Sequence, residues 1–211
     1  MNAVTAVAFA IAGIFAIGDW IAKARTNRVL EYVCKPATLV ALIVAAAALD
    51  PAADAHTRRT WFVAALVASF AGDVLLMVPQ DLFVFGLGAF LVAHICYIAG
   101  FWSDGPAAVA FVVAAVIVVA VLAPLAWRIL RSVPDAGLRA PVAVYIVVIA
   151  TMLATALATG NAVAAVGAAL FVASDSMIAW DRFVGEFSAA PVAIMVTYHL
   201  GQALLVASLL R

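Results

Sequence analysis

Apolar positions along the chain form eight long runs that are separated by short polar breaks. The runs cover residues 3–22, 33–49, 60–78, 82–101, 106–127, 139–158, 161–180 and 190–210. Each is close to the length of about 20 residues that an α-helix needs to cross the hydrocarbon core of a bilayer. Several breaks contain Pro, Gly and Asp, which favour turns. The pattern predicts an all-α membrane protein with eight transmembrane helices in one bundle, joined by short loops.

Composition supports this class and excludes several others. Of the 211 residues, 69% are hydrophobic and 10% are charged, and the mean hydropathy is +1.23. A soluble domain has about 25% charged residues, and a nucleic-acid-binding domain has a basic surface. An outer-membrane barrel alternates apolar and polar residues along each strand, whereas the apolar runs here are continuous. We therefore expect residues 1–211 to form one transmembrane domain that does not bind nucleic acid.

Positive charge is distributed unequally between the two sides of the predicted bundle. The side with the first, third, fifth and seventh connections carries eight basic residues, and the other side carries three, namely Arg58, Arg59 and Arg211. Basic residues favour the cytoplasmic side, so we expect both termini to lie outside. All five tryptophans fall near run ends, where indole rings favour the headgroup region. The Ala- and Val-rich composition indicates a bacterial protein of the inner, or cell, membrane.

Ionisable residues inside the runs are the candidates for function, because each costs several kcal/mol without a partner or a wet cavity. Asp19, Lys35, Asp73 and Asp175 all fall in the predicted cytoplasmic half of their spans, and His94 and His199 lie nearer the middle. If these helices face inward, the side chains converge on a polar cavity that opens to the cytoplasm. For Asp19 the alternative is a structural ion pair with Lys23 or Lys35.

Two spacings add detail to this picture. Residues Asn161, Ala168, Asp175 and Arg182 are seven apart, which predicts a partly polar stripe along one face of the seventh helix. In addition, an Asp precedes a His by 21 residues in spans three and four and by 24 residues in spans seven and eight. This echo predicts a weak four-plus-four internal repeat.

Four short motifs, in order, carry a family resemblance. They are Tyr32–Pro36 with its Lys35-Pro36 pair, the block from Gly72-Asp73 to Pro79 followed by Phe83, Gly86 and His94-x-x-Tyr97, the segment Ser174–Ala179, and Tyr198-His199-x-x-Gln202. In these motifs the chain resembles the YhhN family, whose members include the lysoplasmalogenases. The resemblance implies an integral membrane enzyme. Its reaction would be hydrolysis of the vinyl ether bond of a lysoplasmalogen to a fatty aldehyde and glycerophospho-ethanolamine or -choline.

That reaction needs a general acid, a base for water and negative charge near a cation, and two carboxyl groups can supply all three. We expect Asp73 and Asp175 to form this catalytic pair. Lys35 is a candidate contact for the lipid phosphate, and His94, Tyr97 and His199 are candidates to orient water or the ether oxygen. The remaining supporting candidates are Asp19, Ser174 and Tyr198. We expect a lysophospholipid substrate in the bilayer, no metal and no cofactor, and the sequence leaves the oligomeric state open.

Two other functions are compatible with the same residues. One is a metal-dependent lipid hydrolase, in which Asp73, Asp175, His94 and His199 supply ligands acceptable to zinc. The other is a transporter, in which the intramembrane acids relay protons or ions. The four-plus-four echo is the feature that favours transport.

Overall fold

The computed structural model describes residues 1–49, 56–103 and 105–210. Within this part, eight α-helices are each long and apolar enough to cross a membrane, and there is no β-strand. They are α1 (Ala3–Ala24), α2 (Arg28–Ala48), α3 (His56–Met77), α4 (Phe83–Trp102), α5 (Ala108–Ser132), α6 (Ala136–Ala158), α7 (Ala162–Phe183) and α8 (Ala190–Ala207). The predicted eight-span, all-α class is confirmed.

Helix α2 begins five residues before its apolar run. The side chain of Asn27 caps it by accepting a hydrogen bond from the backbone N–H of Leu30 at 3.1 Å. The charged first turn hid this start from the hydropathy pattern, which began the second span at residue 33. Pro36 lies inside α2, where a transmembrane helix tolerates proline when neighbouring groups satisfy the freed backbone atoms.

Close helix pairs bring the functional side chains to the centre of the bundle. The tightest packing is between chain neighbours, α1 with α2, α3 with α4, and α7 with α8. Between α7 and α8 the backbones touch, because a Cβ added to Gly201 would lie 3.0 Å from the carbonyl oxygen of Gly167. Small residues at such contacts let membrane helices approach closely. Helix α8 also packs against α1, α2 and α3, and α6 packs against α4 and α7.

Helix α5 is the most exposed of the eight. Its buried residues are Ala114, Val118 and Ile129, and it packs mainly against α6. It contributes no ionisable side chain to the bundle interior, as its uninterrupted apolar run predicts. Its inner face nevertheless forms one wall of the cavity described below, so α5 shapes the site although it brings no polar chemistry to it.

Candidate functional site

Asp175 lies at the centre of one polar cluster, formed with His94 and Tyr145 and called here the Asp175 cluster. Helices α7, α4 and α6 supply one residue each. The hydroxyl of Tyr145 donates to Oδ2 of Asp175 in a short hydrogen bond. Nε2 of His94 lies 3.2 Å from the same carboxylate oxygen and 2.9 Å from the Tyr145 oxygen. Because Tyr145 donates its single proton to the carboxylate, the Nε2–H tautomer of His94 completes the cluster.

An apolar cavity lies directly beside this cluster. It has a volume of about 770 Å³ including its open mouth, and helices α3 to α7 line it. Of its lining residues, only Tyr145, Asp175 and Ser176 carry polar side-chain atoms. Apolar cavities with a few placed polar groups are typical of sites for small ligands. The Asp175 carboxyl group is therefore positioned to meet an otherwise apolar ligand.

A second, lipid-facing groove runs between α4 and α6. Gly88 forms part of its floor, and a Cβ placed there would meet no atom within 4 Å. Its rim includes Val84 and Val144, which are 48% and 52% exposed. Leu87 and Tyr145 line both this groove and the cavity. The groove and the cavity are therefore neighbours that share these two side chains.

Asp73 belongs to a different polar cluster, called here the Asp73 cluster, with Lys35 and Tyr198. Nζ of Lys35 lies 3.1 Å from Oδ1 of Asp73, and the hydroxyl of Tyr198 donates to Oδ2 at 2.8 Å. All three side chains are buried. One turn further along α8, Gln202 accepts a hydrogen bond from the hydroxyl of Tyr97 at 2.5 Å. Lys35 therefore pairs with a buried carboxylate.

Around the Asp73 cluster lie buried polar atoms that have no hydrogen-bonding partner among the described residues. They include both carboxylate oxygens of Asp19, Oγ of Ser69, Nε2 of His199 and the side-chain nitrogen of Gln202. Nδ1 of His199 accepts a hydrogen bond from the Trp20 indole at 3.1 Å. Buried polar groups of this kind are normally satisfied by ordered water. This side of the bundle is therefore chemically suited to hold water, whereas the Asp175 cluster has a single such atom, Nδ1 of His94, within the described residues and lies beside an apolar cavity.

The ion pair considered for Asp19 does not form in the described structure. Lys23 instead pairs with Glu31 at 2.5 Å, and Lys35 pairs with Asp73. The two lysines that were candidate partners of Asp19 are therefore both paired with other acids. Asp19 remains a fully buried acid in α1, close enough to Lys35 and Asp73 for their charges to act on it.

The two candidate catalytic carboxylates do not hydrogen-bond to one another in the described residues. Phe171 lies between their clusters, with its ring 5.4 Å from that of Tyr198 and 4.7 Å from that of His94. No three His, Cys, Asp or Glu side chains of the described chain lie close enough to hold a metal ion. The ligand set considered for a metal-dependent hydrolase is thus split between separate clusters.

Three residues have contacts that their sequence positions did not indicate. Ser174 donates a hydrogen bond to the backbone of Ile194 at 3.1 Å and ties α7 to α8. Trp20 lies at a span end but binds His199 instead of only anchoring the helix at the interface. Tyr145 was absent from the expected site. The one signal in the sequence that could have identified it is that it is a polar residue inside a long apolar run.

Comparisons with known proteins agree with the motifs. The sequence model of the YhhN family matches residues 30–209. A protein of Mycobacterium bovis named lysoplasmalogenase is 38% identical over 181 residues, which are 81% of this chain and 67% of that protein. Human lysoplasmalogenase TMEM86B is 37% identical over 150 residues, covering 70% of this chain and 62% of its own length. The rat protein of the same name is 35% identical over 153 residues, with coverages of 72% and 63%. No solved structure matches the chain.

Proposed function

The chain belongs to the YhhN family, and from that premise we propose that it is a membrane-embedded hydrolase that cleaves the vinyl ether bond of a lysoplasmalogen or a related lysolipid. The observation that carries the proposal is the position of the Asp175 carboxyl group on the wall of an otherwise apolar cavity. The relatives named lysoplasmalogenase support the same reaction. The products are a fatty aldehyde and a glycerophospho-alcohol.

The reaction divides into proton transfer to carbon and attack by water. A proton adds to the outer alkene carbon, and the remaining carbon–oxygen unit becomes an oxocarbenium ion. Water attacks the carbon of that ion and loses a proton to a base, which gives a hemiacetal. The hemiacetal hydroxyl then loses its proton while the glycerol oxygen gains one, and the bond between carbon and glycerol oxygen breaks. The net change is the addition of one water molecule.

We assign the first proton transfer to Asp175. The acid must touch a carbon atom of the alkenyl chain, so it has to lie where that chain is bound. Asp175 lines the cavity, and its hydrogen bonds to His94 and Tyr145 fix the carboxyl group and connect it to a second proton-carrying side chain. After proton transfer, the carboxylate stabilises the neighbouring cation by charge.

We assign the attack by water to the side of Asp73. The buried polar atoms around its cluster are suited to hold water, and a carboxylate is the group that accepts the proton which water loses. Lys35 and Tyr198 hold Asp73 from two directions. In this assignment Lys35 positions Asp73 and does not bind the lipid phosphate, while His199, Tyr97 and Gln202 order water.

The groove between α4 and α6 is the proposed route by which the lipid enters. It faces the bilayer, and Leu87 and Tyr145 line both the groove and the cavity. It lies near the first turns of α4 and α6, on the side that the basic residues assign to the cytoplasm. The proposal therefore places the substrate in the cytoplasmic leaflet of a bacterial inner membrane, with both termini of the protein outside.

Aldehyde release by the purified full-length chain tests the proposal. Wild type should form aldehyde from a lysoplasmalogen, and in D₂O the aldehyde should carry one deuterium at carbon 2. Asp175→Asn and Asp73→Asn should each abolish release while the protein stays folded. Asp181→Asn is the matched control, because Asp181 lies on α7 and caps a backbone N–H outside the cavity. Folded wild type that forms no aldehyde would refute the function, and activity in either mutant would refute that carboxylate's role.

A further inference from the structure

An arginine, Arg182, lies against a ring that lines the apolar cavity. Phe83 and Phe183 line the cavity, and their rings pack edge to face at 5.7 Å. The guanidinium carbon of Arg182 is 3.9 Å from the centre of the Phe83 ring. A permanent positive charge therefore sits against one of the rings that end the cavity, where an apolar chain inside would meet a polar headgroup outside.

This guanidinium is only partly engaged. One of its nitrogens, Nη2, bonds both carboxylate oxygens of Asp81, at 2.9 and 3.2 Å. In the described part of the chain, Asp81 is its single hydrogen-bonding partner. The side chains are 37% and 71% exposed, and an ion pair this exposed is worth little. The other N–H groups remain available to a second acceptor, and a guanidinium presents its donors in a geometry that matches phosphate.

The position of Arg182 relative to Asp175 fits the length of a lysophospholipid. The two residues are seven apart on α7, which corresponds to about 10 Å along the helix on nearly the same face. In a 1-alkenyl lysophospholipid, seven bonds separate the phosphorus from the outer alkene carbon. In an extended chain, each bond advances by a little over 1 Å, so the phosphorus and this carbon are roughly 8 Å apart. The backbone positions of Asp175 and Arg182 are thus separated by about the distance between the two groups that their side chains would contact.

We propose that Arg182 binds the phosphate group of the lysolipid, and that Asp81 is an internal anion that competes with this phosphate. This inference rests on the proposed function for the identity of the lipid, and it adds a headgroup site to it. With phosphate on Arg182, the alkenyl chain lies in the cavity that Phe83 and Phe183 line, and its first double bond reaches Asp175.

Asp81 should compete at every working pH. The hydrogen bond and charge of Arg182 hold the pKa of Asp81 below its usual range of about 4, so Asp81 stays ionised above that range. Removing its charge should therefore strengthen phosphate binding equally between about pH 5 and 9.

Binding of a saturated 1-O-alkyl lysophospholipid to the full-length chain in detergent tests the site without any turnover. Arg182→Gln should weaken this binding by roughly ten-fold or more and should weaken binding of 1-O-alkylglycerol, which lacks the phosphate, by less than about two-fold. Asp81→Asn should tighten binding of the phosphate-bearing lipid alone. Arg131→Gln is the matched control, because Arg131 also stacks on an aromatic ring, that of Trp127 on α5.

Equal weakening of both ligands by Arg182→Gln, or no weakening, would overturn the proposal. So would inorganic phosphate alone binding wild type as tightly as the lysolipid does, since that result would assign the arginine to free phosphate. The saturated ether cannot be hydrolysed by this reaction. A protein that binds it through Arg182 but forms no aldehyde would keep the phosphate site and lose the catalytic function.

Discussion

Removing one partner of the Lys35–Asp73 ion pair should destabilise the bundle far more than removing both. The nitrogen and oxygen are 3.1 Å apart, and the two side chains are 6% and 2% exposed. Lys35→Met leaves a buried carboxylate without its cation, and Asp73→Asn leaves a buried ammonium without its anion. Such uncompensated charges cost about 3–5 kcal/mol in proteins.

The local contacts refine this magnitude. In Lys35→Met, Asp73 keeps the hydrogen bond from Tyr198, which offsets part of the lost attraction. We therefore expect each single substitution to lower the free energy of unfolding by about 3 kcal/mol. The double variant contains no buried charge at this point, and the amide of an asparagine still accepts from Tyr198. Its loss should be about 1–2 kcal/mol, so the two residues should be coupled by several kcal/mol.

Reversible unfolding in mixed micelles measures the four free energies of this cycle. Lys23–Glu31 is the control pair, because its atoms are 2.5 Å apart but its side chains are 23% and 15% exposed. Coupling there should stay within about 1 kcal/mol. Single-variant losses at Lys35 and Asp73 that simply add would refute the reasoning, since they would mean that neither charge depends on the other.

The same double variant separates stability from chemistry. If Asp73 accepts the proton from water, the restabilised double variant should fold and still release no aldehyde. Recovery of activity together with stability would show that Asp73 serves the fold alone.

Two further predictions concern the cavity and its entry. Tyr145→Phe removes one hydrogen bond to the Asp175 carboxylate, worth about 1.5–3 kcal/mol, so kcat should fall roughly 10- to 100-fold, while Tyr32→Phe at an exposed tyrosine should change kcat little. Gly88→Leu should fill the lipid-facing groove and lower kcat/KM for long-chain lysolipids more than for short-chain ones. Gly13→Leu, at another glycine with open space around it, should leave both values unchanged.

The sequence was sufficient to predict the architecture because bilayer thickness sets the length of each apolar run. It also identified the buried acids and histidines of the spans, since each is costly in an apolar run, but it placed the buried Arg58 outside the third run. Helix ends were less predictable where charged residues extend a helix beyond its apolar run. The start of α2 at Arg28 lies outside the apolar run, so Lys35 is inside the helix and faces Asp73.

Pairing between helices could not be predicted in the same way. A periodic pattern fixes which residues share a face, but not which neighbouring helix that face meets. The rotation of α4 directs His94 toward Asp175 and Tyr97 toward Gln202, although these residues are one turn apart. The expected close pair of Asp73 and Asp175 thus depended on helix rotations that a single sequence does not contain.

Separation of the two carboxylates suits a reaction whose two halves need different surroundings. Protonation of carbon requires an acid against an apolar chain, whereas hydrolysis requires water beside a base. The partition between them is thin, because Phe90 lines the cavity and its ring is also 5.8 Å from that of Tyr198. An aromatic face attracts a cation, so the ring of Phe90, which lines the same cavity as Asp175, would stabilise an oxocarbenium ion formed there. Water attacks only after the proton has been transferred, because the neutral vinyl ether is not electrophilic, so the acid and the base act in sequence and need not touch.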